Sequence, residues 1–398
     1  MKFQLKKQLA FAALVLAFSP FLTAQIPKSM RRLPDTGQAQ SFTNTAGEDA
    51  DYLQNPPFFI QNGDGTVTDT VTGLMWQQTD GGEMTFENAT TFCENLSIGG
   101  HDDWRLPTAQ EAYSILNQGK TNPALDGTIF TITGAEYWWT SEADATNANK
   151  IWVANAGGGI GNHLKTETVS AGGTRKIHAR AVRDQTPPPT VAAHFSDNGD
   201  GTITDHLTDL IWQKTPAPDS MSWENALVFA ENLSLAGHDD WRLPNIKELQ
   251  SLNDETVANP SLPTQFFPKI GVKKYWSGTS LPNQTTRAWY LFTRFGITTY
   301  DLKTAKDNVL CVRGPEGKTA SAASILDAAV QVWPNPFSDK IGVGASDAGT
   351  VFELFDCFGR PVFVGKNISE QDFSGQPVGI YFLKILGKKS AMLRLVKI

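Results

Sequence analysis

Three cysteines among 398 residues are too few for the disulfide scaffold that many exported proteins use, so folding must rest on apolar cores. Eleven Trp and 23 Phe supply the bulk for them. Beyond the first two dozen residues, no stretch approaches the roughly 20 uninterrupted apolar residues of a membrane-spanning helix. Clustered Lys and Arg are missing too. A net charge of -7 without like-charge blocks excludes a nucleic-acid footprint, so nucleic acid is not an expected partner. No Cys/His spacing of a zinc site, Ser-His-Asp order or nucleophile elbow is found.

What is present begins with an export signal. Lys2, Lys6 and Lys7 precede the apolar run Leu9 to Phe18, and small Ala24 suits the residue before a cut. Residues 1–24 are expected to be removed, leaving a soluble mature chain with no transmembrane segment.

Self-comparison then organises the chain. Asn62-Gly63-Asp64-Gly65-Thr66 recurs 136 residues on as Asn198-Gly199-Asp200-Gly201-Thr202, and Trp76 recurs as Trp212. His101-Asp102-Asp103-Trp104-Arg105-Leu106-Pro107 recurs as His238-Asp239-Asp240-Trp241-Arg242-Leu243-Pro244, 137 residues on. Ala181-Val182-Arg183 closes one copy and Cys311-Val312-Arg313 the other. The reading is a flexible leader (25–57), module 1 (58–184), a stiff Pro-rich linker (185–193) whose stretch from Gln185 to Thr190 cannot join a ladder, module 2 (194–314), a second linker (315–325) and a tail (326–398). Each module is expected to bury its own core.

Within a module, Asn-Gly and Asp-Gly between Phe58-Phe59-Ile60 and Thr66-Val67-Thr68 signal a hairpin, because those residues tolerate positive φ. Phe86, Ala89, Phe92, Cys93 and Leu96 share a helical face behind Thr85 as candidate N-cap; Trp223, Ala226, Ala230 and Leu233 repeat it. Thr108-x-x-Glu111 and Asn245-x-x-Glu248 have the capping-box pattern of a second helix.

These motifs, in this order and twice, resemble the C-terminal module of the Legionella collagen-like adhesin. The Trp-Arg-Leu-Pro segment is also similar to the formylglycine-generating enzyme family. The resemblance implies an α+β fold: two C-type-lectin-like modules, each with two helices beside a twisted, mainly antiparallel sheet. The last 75 or so residues, with Val332-Trp333-Pro334-Asn335-Pro336-Phe337 and Gly379-Ile380-Tyr381-Phe382-Leu383, resemble the type A sorting domain of type IX secretion. That implies an all-β sandwich, the type IX machinery as partner, and the surface or surroundings of a Bacteroidetes-like bacterium.

Several sites invite chemistry. His101-Asp102-Asp103 and its repeat could ligate a metal, but the simpler role is a loop placing Trp104 and Trp241. Glu111 and Glu248 fit helix capping better than catalysis, so Trp104, Arg105, Pro107, Glu111, Trp241, Arg242, Pro244 and Glu248 are assigned structural roles. Asp64, Asp69, Asp200 and Asp205 lack the full ligand set of a calcium loop. No cofactor is assigned; calcium is the open alternative, though the Glu-Pro-Asn, Gln-Pro-Asp and Trp-Asn-Asp signatures of sugar-binding C-type lectins are absent. Trp138, Trp152, Tyr275 and Trp289 are the candidate sugar-stacking residues, weighed against core packing.

The function expected is an exported adhesin whose two lectin-like heads gain avidity on a glycan or other extracellular polymer. The alternatives are an enzyme on the formylglycine-generating scaffold, for which each module has one cysteine where a pair is needed, and a purely structural envelope protein. The same resemblance implies a disulfide from the first helix to the last strand, of which Cys93 and Cys311 are single halves facing Ala181 and Ala230. Both thiols, and Cys357, are expected to be unpaired.

Overall fold

The Asn-Gly-Asp-Gly-Thr motif forms the turn its composition requires. Gly63 and Gly65 adopt φ of 81° and 87°, and Asp64 Oδ1 accepts from the Thr66 amide at 3.1 Å. Strands Phe59–Gln61 and Thr66–Asp69 pair across it. With Leu74–Gln77 and Val182–Asp184 they complete a four-stranded antiparallel sheet, and Phe195–Asp197, Thr202–Asp205, Leu210–Gln213 and Val312–Arg313 repeat the same order.

The computed structural model describes residues 26–27, 29–52, 54–168, 177–185, 188–314, 332–334, 337–344, 350–356, 360–386 and 391–397. The signal segment, the second linker and Cys357 lie outside them. Strands dominate, with few helices. Helices α1 (Phe86–Glu94) and α3 (Trp223–Glu231) are equivalent, as are α2 (Ala109–Ser114) and α4 (Ile246–Ser251). Both short helices begin with complete capping boxes, Thr108 with Glu111 and Asn245 with Glu248. Thr85 stands at the α1 N-cap without a side-chain bond.

The expectation of separate cores meets an exception: one cluster lies wholly in module 1 and two wholly in module 2, but another draws on both. A seven-stranded sheet runs through both copies: Lys274–Ser280, Arg287–Phe292, Ile297–Leu302, Ile160–Leu164, Asn147–Asn155, Tyr137–Asp144 and Ile177–His178. It crosses at Ile160 opposite Thr298, residues that occupy the same place in the two copies. The contacts around this crossing are reciprocal. Gln110 Nε2 donates to the Ser251 carbonyl at 3.4 Å, and its counterpart Lys247 donates through Nζ to the carbonyl of Ser114, the counterpart of Ser251, at 2.7 Å. That reciprocity is the signature of a two-fold interface, here within one chain. Trp152, its counterpart Trp289 and Ile246 share one core cluster.

The leader is also corrected. Among residues 29–57, Asp35, Thr36, Gln38, Glu48 and Asp49 are buried. Asp49 Oδ2 accepts from Thr36 and Thr279, each at 2.7 Å, and Gln38 Oε1 accepts from the Ser280 amide at 3.0 Å. This segment is a strap across module 2 that also bonds to module 1, where Arg31 donates to the Thr72 carbonyl at 2.7 Å and Thr36 accepts from the Gln118 amide at 2.9 Å. Its polar sequence is held by hydrogen bonds, which apolar periodicity does not register. Thr190, at the end of the stretch expected to stay outside any ladder, pairs with Pro27, and Val191 after it with Ile26. They follow the prolines and retain their own amide protons.

Cys93 shares a core with Ala181, and Cys311 with Ala230, as the helix-to-strand assignment requires. Both thiols are unpaired and buried, and burial pushes Cys93 up to about 12. The tail places Pro361–Gly365, Val351–Asp356, Gly379–Leu386 and Ala391–Lys397 in one antiparallel sheet. The ladder Val332–Trp333 with Gly342–Val343 packs on the same core.

Candidate functional site

Where the sheets of the two modules join, the surface opens into a groove of about 830 Å³. Its first wall comes from module 1. The hairpin between Asn147–Asn155 and Ile160–Leu164 turns through Gly157, Gly158 and Gly159, and this glycine run is required by its neighbour. A Cβ on Gly159 would lie 2.8 Å from the Thr298 carbonyl and 3.2 Å from the Trp289 ring, and Gly158 has φ of 104°. Asn155 steadies the turn by accepting the Gly157 amide at 2.6 Å. Beyond it stand Asn162 and His163, with Tyr137 edge-on to the His163 ring at 4.6 Å. His163 Nδ1 lies 3.0 Å from Glu167 Oε2.

Module 2 gives the opposite wall, Trp289 with Thr298, Thr299 and Tyr300. Tyr300 is 38% exposed and meets Trp289 edge-on at 5.6 Å. Asn122 and Glu136 also line the opening. At the dyad-related positions, Asn155 and Gly159 are replaced by Phe292 and Ile297. The two copies have diverged where the groove lies.

The candidate stacking residues fare differently. Trp138, Trp152 and Tyr275 are 4%, 2% and 1% exposed, so they are core rings and not platforms. Two of the three polar tips serve inner partners: Trp138 Nε1 donates to Asp80 at 3.0 Å, and the Tyr275 hydroxyl accepts from the Gly271 amide at 3.3 Å. Trp289 is buried as well, yet its ring borders the groove. Sequence reasoning missed Asn155, Asn162, His163 and Tyr300. The contrast between Thr293-Arg294-Phe295-Gly296 and the shorter Ala156-Gly157-Gly158 of the other copy was the available signal.

The duplicated motifs hold the frame. Arg105 grips Glu111 through two bonds of 2.7 and 2.8 Å, and Arg242 grips Glu248 through two of 2.6 Å. Asp103 pairs with Arg183 at 2.6 Å and Asp240 with Arg313 at 2.7 Å, tying each Asp-Asp-Trp-Arg loop to its closing Val-Arg strand. The Trp104 indole donates to the His101 carbonyl at 3.1 Å, and Trp241 to that of Leu235 at 3.2 Å. Pro107 precedes the α2 cap and Pro244 the α4 cap. Asp69 and Asp205 accept backbone amides of their own turns, at 3.0 and 2.9 Å. Among the described residues, no group of three or more His, Cys, Asp or Glu is arranged to hold a metal ion.

Module 1 also buries a polar network. Asp80 accepts from Thr133 at 2.6 Å and lies 2.9 Å from His178 Nδ1 and 3.5 Å from Arg180, whose guanidinium sits 5.0 Å from the Phe130 ring. Burial raises the Asp80 carboxyl, but His178, Arg180, Thr133 and Trp138 outweigh it and hold the group at about 2.

The Lcl C-terminal domain model matches residues 65–183 and 201–313, more than half of the chain, and the secretion system C-terminal sorting domain model matches 331–397. No curated protein matches the chain. A solved structure of PorZ, an essential bacterial surface component of the type-IX secretion system of Porphyromonas gingivalis, is similar at 15% identity with a TM-score of 0.16. The match covers 64% of this chain and 30% of PorZ, so the chain spans less than a third of that protein, and a likeness this slight transfers neither fold nor role. Among the described residues, no helix is long and apolar enough to cross a membrane. The sorting domain marks the protein for secretion or the cell surface. With two copies of the repeat and this tail, the chain belongs to the Lcl C-terminal domain family and ends in a secretion-system sorting domain.

Proposed function

We propose that the protein is an adhesin rather than an enzyme, and that a composite groove between its two modules holds an extracellular glycan or similar polymer. The observation that carries this reading is the groove itself, whose walls come from different copies of the repeat. Asparagine amides, hydroxyls and the half-exposed Tyr300 ring are the groups that sugar recognition uses. The tandem repeat then builds one shared site, in place of two independent heads.

Two supports favour binding over catalysis. Cys93 and Cys311 lie in separate cores with raised pKa values, unlike the active pair of a formylglycine-generating enzyme. Glu111 and Glu248 are engaged in caps, and Asp103 and Asp240 in ion pairs. The C-type-lectin-like architecture and a final position outside the outer membrane of a Bacteroidetes-like cell, reached through the type IX machinery, belong to the same proposal.

Gly161 provides the test, because a Cβ there meets nothing within 4 Å although the residue lines the groove. Gly161→Trp should fill the opening without disturbing the fold. Wild-type protein is expected to be retained on some members of a polysaccharide and matrix-protein panel, and the variant to pass through with an unchanged Tm. Equal retention of both proteins would remove the groove from the function.

A further inference from the structure

The hairpin turn that walls the groove in module 1 has a different surface in module 2. There Thr293-Arg294-Phe295-Gly296 stands in place of the shorter glycine turn, and two neighbouring loops are tied to it. The Ser261 amide donates to the Thr293 carbonyl at 2.7 Å, the Asn259 amide to that of Arg294 at 3.3 Å, and the Thr293 hydroxyl to that of Gly271 at 2.7 Å. Together the three loops present Val257, Val272 and Phe295, which are 42%, 45% and 39% exposed, beside the exposed Lys269, Lys273 and Arg294. Arg294 lies over the Phe295 ring at 5.2 Å. Among the described residues, none of these three cations forms an ion pair. Neighbouring carboxyls do not neutralise them. Asp254 accepts from the Thr256 amide at 2.9 Å, and Glu255 is buried, where desolvation and the Glu142 charge push it up to about 8.

We propose that this face of module 2 docks the protein on a membrane surface that carries lipid phosphates, the apolar side chains entering the headgroup region and the cations meeting the phosphates. The mixture of groups is what selects lipid. Apolar side chains gathered on one exposed face mark a contact surface, and each Lys or Arg held near an anionic leaflet adds attraction. A hydrophilic polyanion would engage the cations yet leave Val257 and Val272 in water. Lipid takes both, because Lys and Arg lay their stems along apolar surroundings and keep their heads in the polar layer. The chain as a whole carries a net charge of -7, so an anionic surface repels the rest of the molecule and orients this face toward itself. Module 1 lacks the patch, with Ile132 in the place of Lys269 and glycines at the turn. The sorting domain directs the chain to secretion or the cell surface, where a membrane exterior is within reach.

Co-sedimentation of the full chain with vesicles tests this, using phosphatidylcholine alone and an equal mixture of phosphatidylcholine and phosphatidylglycerol. The anionic vesicles should bind at least about tenfold more tightly than the neutral ones. Lys273→Ser and Arg294→Ser should each weaken that binding about fivefold, the effect of one cation at an anionic surface. Phe295→Ser should weaken it at high salt as well, where screening removes the charge contribution and leaves the apolar one. Gly161→Trp, which alters the groove, should leave vesicle binding unchanged, so the two surfaces fail or succeed separately. Absence of vesicle binding, equal binding to both vesicle types, or binding indifferent to the three serine substitutions would overturn the proposal. Loss of vesicle binding in Gly161→Trp would place the membrane contact elsewhere and overturn it too. Capture on immobilised heparin that Arg294→Ser abolishes and Phe295→Ser leaves intact, with no vesicle bound, would make the face a polyanion site instead.

Discussion

Arg105 and Arg242 hold the same place in the two modules, each clamping a capping glutamate, yet the Arg105 side chain is 37% exposed and that of Arg242 only 4%. The strap makes the difference. Tyr52 lies over the Arg242 guanidinium at 5.2 Å and bonds to Glu231, while Thr43 reaches Glu224 at 3.0 Å. Ser141 and Ala143 of module 1 are exposed where Gly278 and Ser280 of module 2 are buried. Interior chemistry differs in the opposite sense. Asp80, Thr133, His178 and Arg180 of module 1 correspond to Pro216, Ile270, Asn308 and Leu310, so module 2 has apolar or uncharged groups where module 1 has buried charge. The strap covers the capping arginine of one repeat only, and the buried ion network belongs to the other.

Removing residues 29–57 should have the largest effect and strike module 2 first, since Arg242, Thr279, Ser280 and Lys247 all lose partners. Hydrogen exchange is expected to show loss of protection along Lys274–Ser280 with less change along Tyr137–Asp144; equal loss in both strands would erase the asymmetry. Asp80→Asn should come next, costing about 3–5 kcal/mol in thermal or denaturant unfolding because it leaves Arg180 buried without a counter-charge. A cost below about 1 kcal/mol would show that the network is dispensable.

The two arginines test the comparison within one substitution. Arg242→Ala should cost about 3–5 kcal/mol, whereas Arg105→Ala should cost less, since water reaches the Glu111 carboxylate it leaves behind. Equal costs would mean that the strap adds nothing at this site. Mild acid gives the smallest effect. Burial pushes Asp35 up to about 6, with the Glu248 charge adding to it against amides from Gln54 and Gly37 and the Lys247 charge. Its stabilising contribution is therefore full below the unfolded value of roughly 3.9 and disappears as pH rises through about 6. Asp80 has the opposite sign, contributing fully above roughly 3.9 and losing that contribution toward pH 2. The strap should thus be better protected at pH 5 than at pH 8, with the Asp80 network unchanged; parallel responses would contradict these assignments.

Much of the frame was legible because its signals are local. The glycine turns, the helical face through Ala89 and Cys93, and both capping boxes depend on residues a few positions apart. The groove was not legible, because its walls come from both modules, with Asn155 and Tyr300 separated by most of module 2. Nor was the strap: Asp35, Glu48 and Asp49 look solvated until their distant donors are known. Trp138 misled because an aromatic with a polar tip reads the same whether that tip meets water or Asp80.

The strap meets module 1 through Arg31 and Thr36, but its side-chain partners Glu231 and Ser280 in module 2 lie 179 and 232 positions further along the chain. Residues 29–57 emerge from the ribosome long before the surface they cover. Contacts at such separation form late, since the entropy of closing the loop must be met before they return anything. Module 2 must therefore assemble with its Arg242 face bare until residues 39–52 close over it. During that interval, the strap of a neighbouring chain fits the face equally well. Intertwined dimers are accordingly the misassembly to expect when the protein refolds at high concentration.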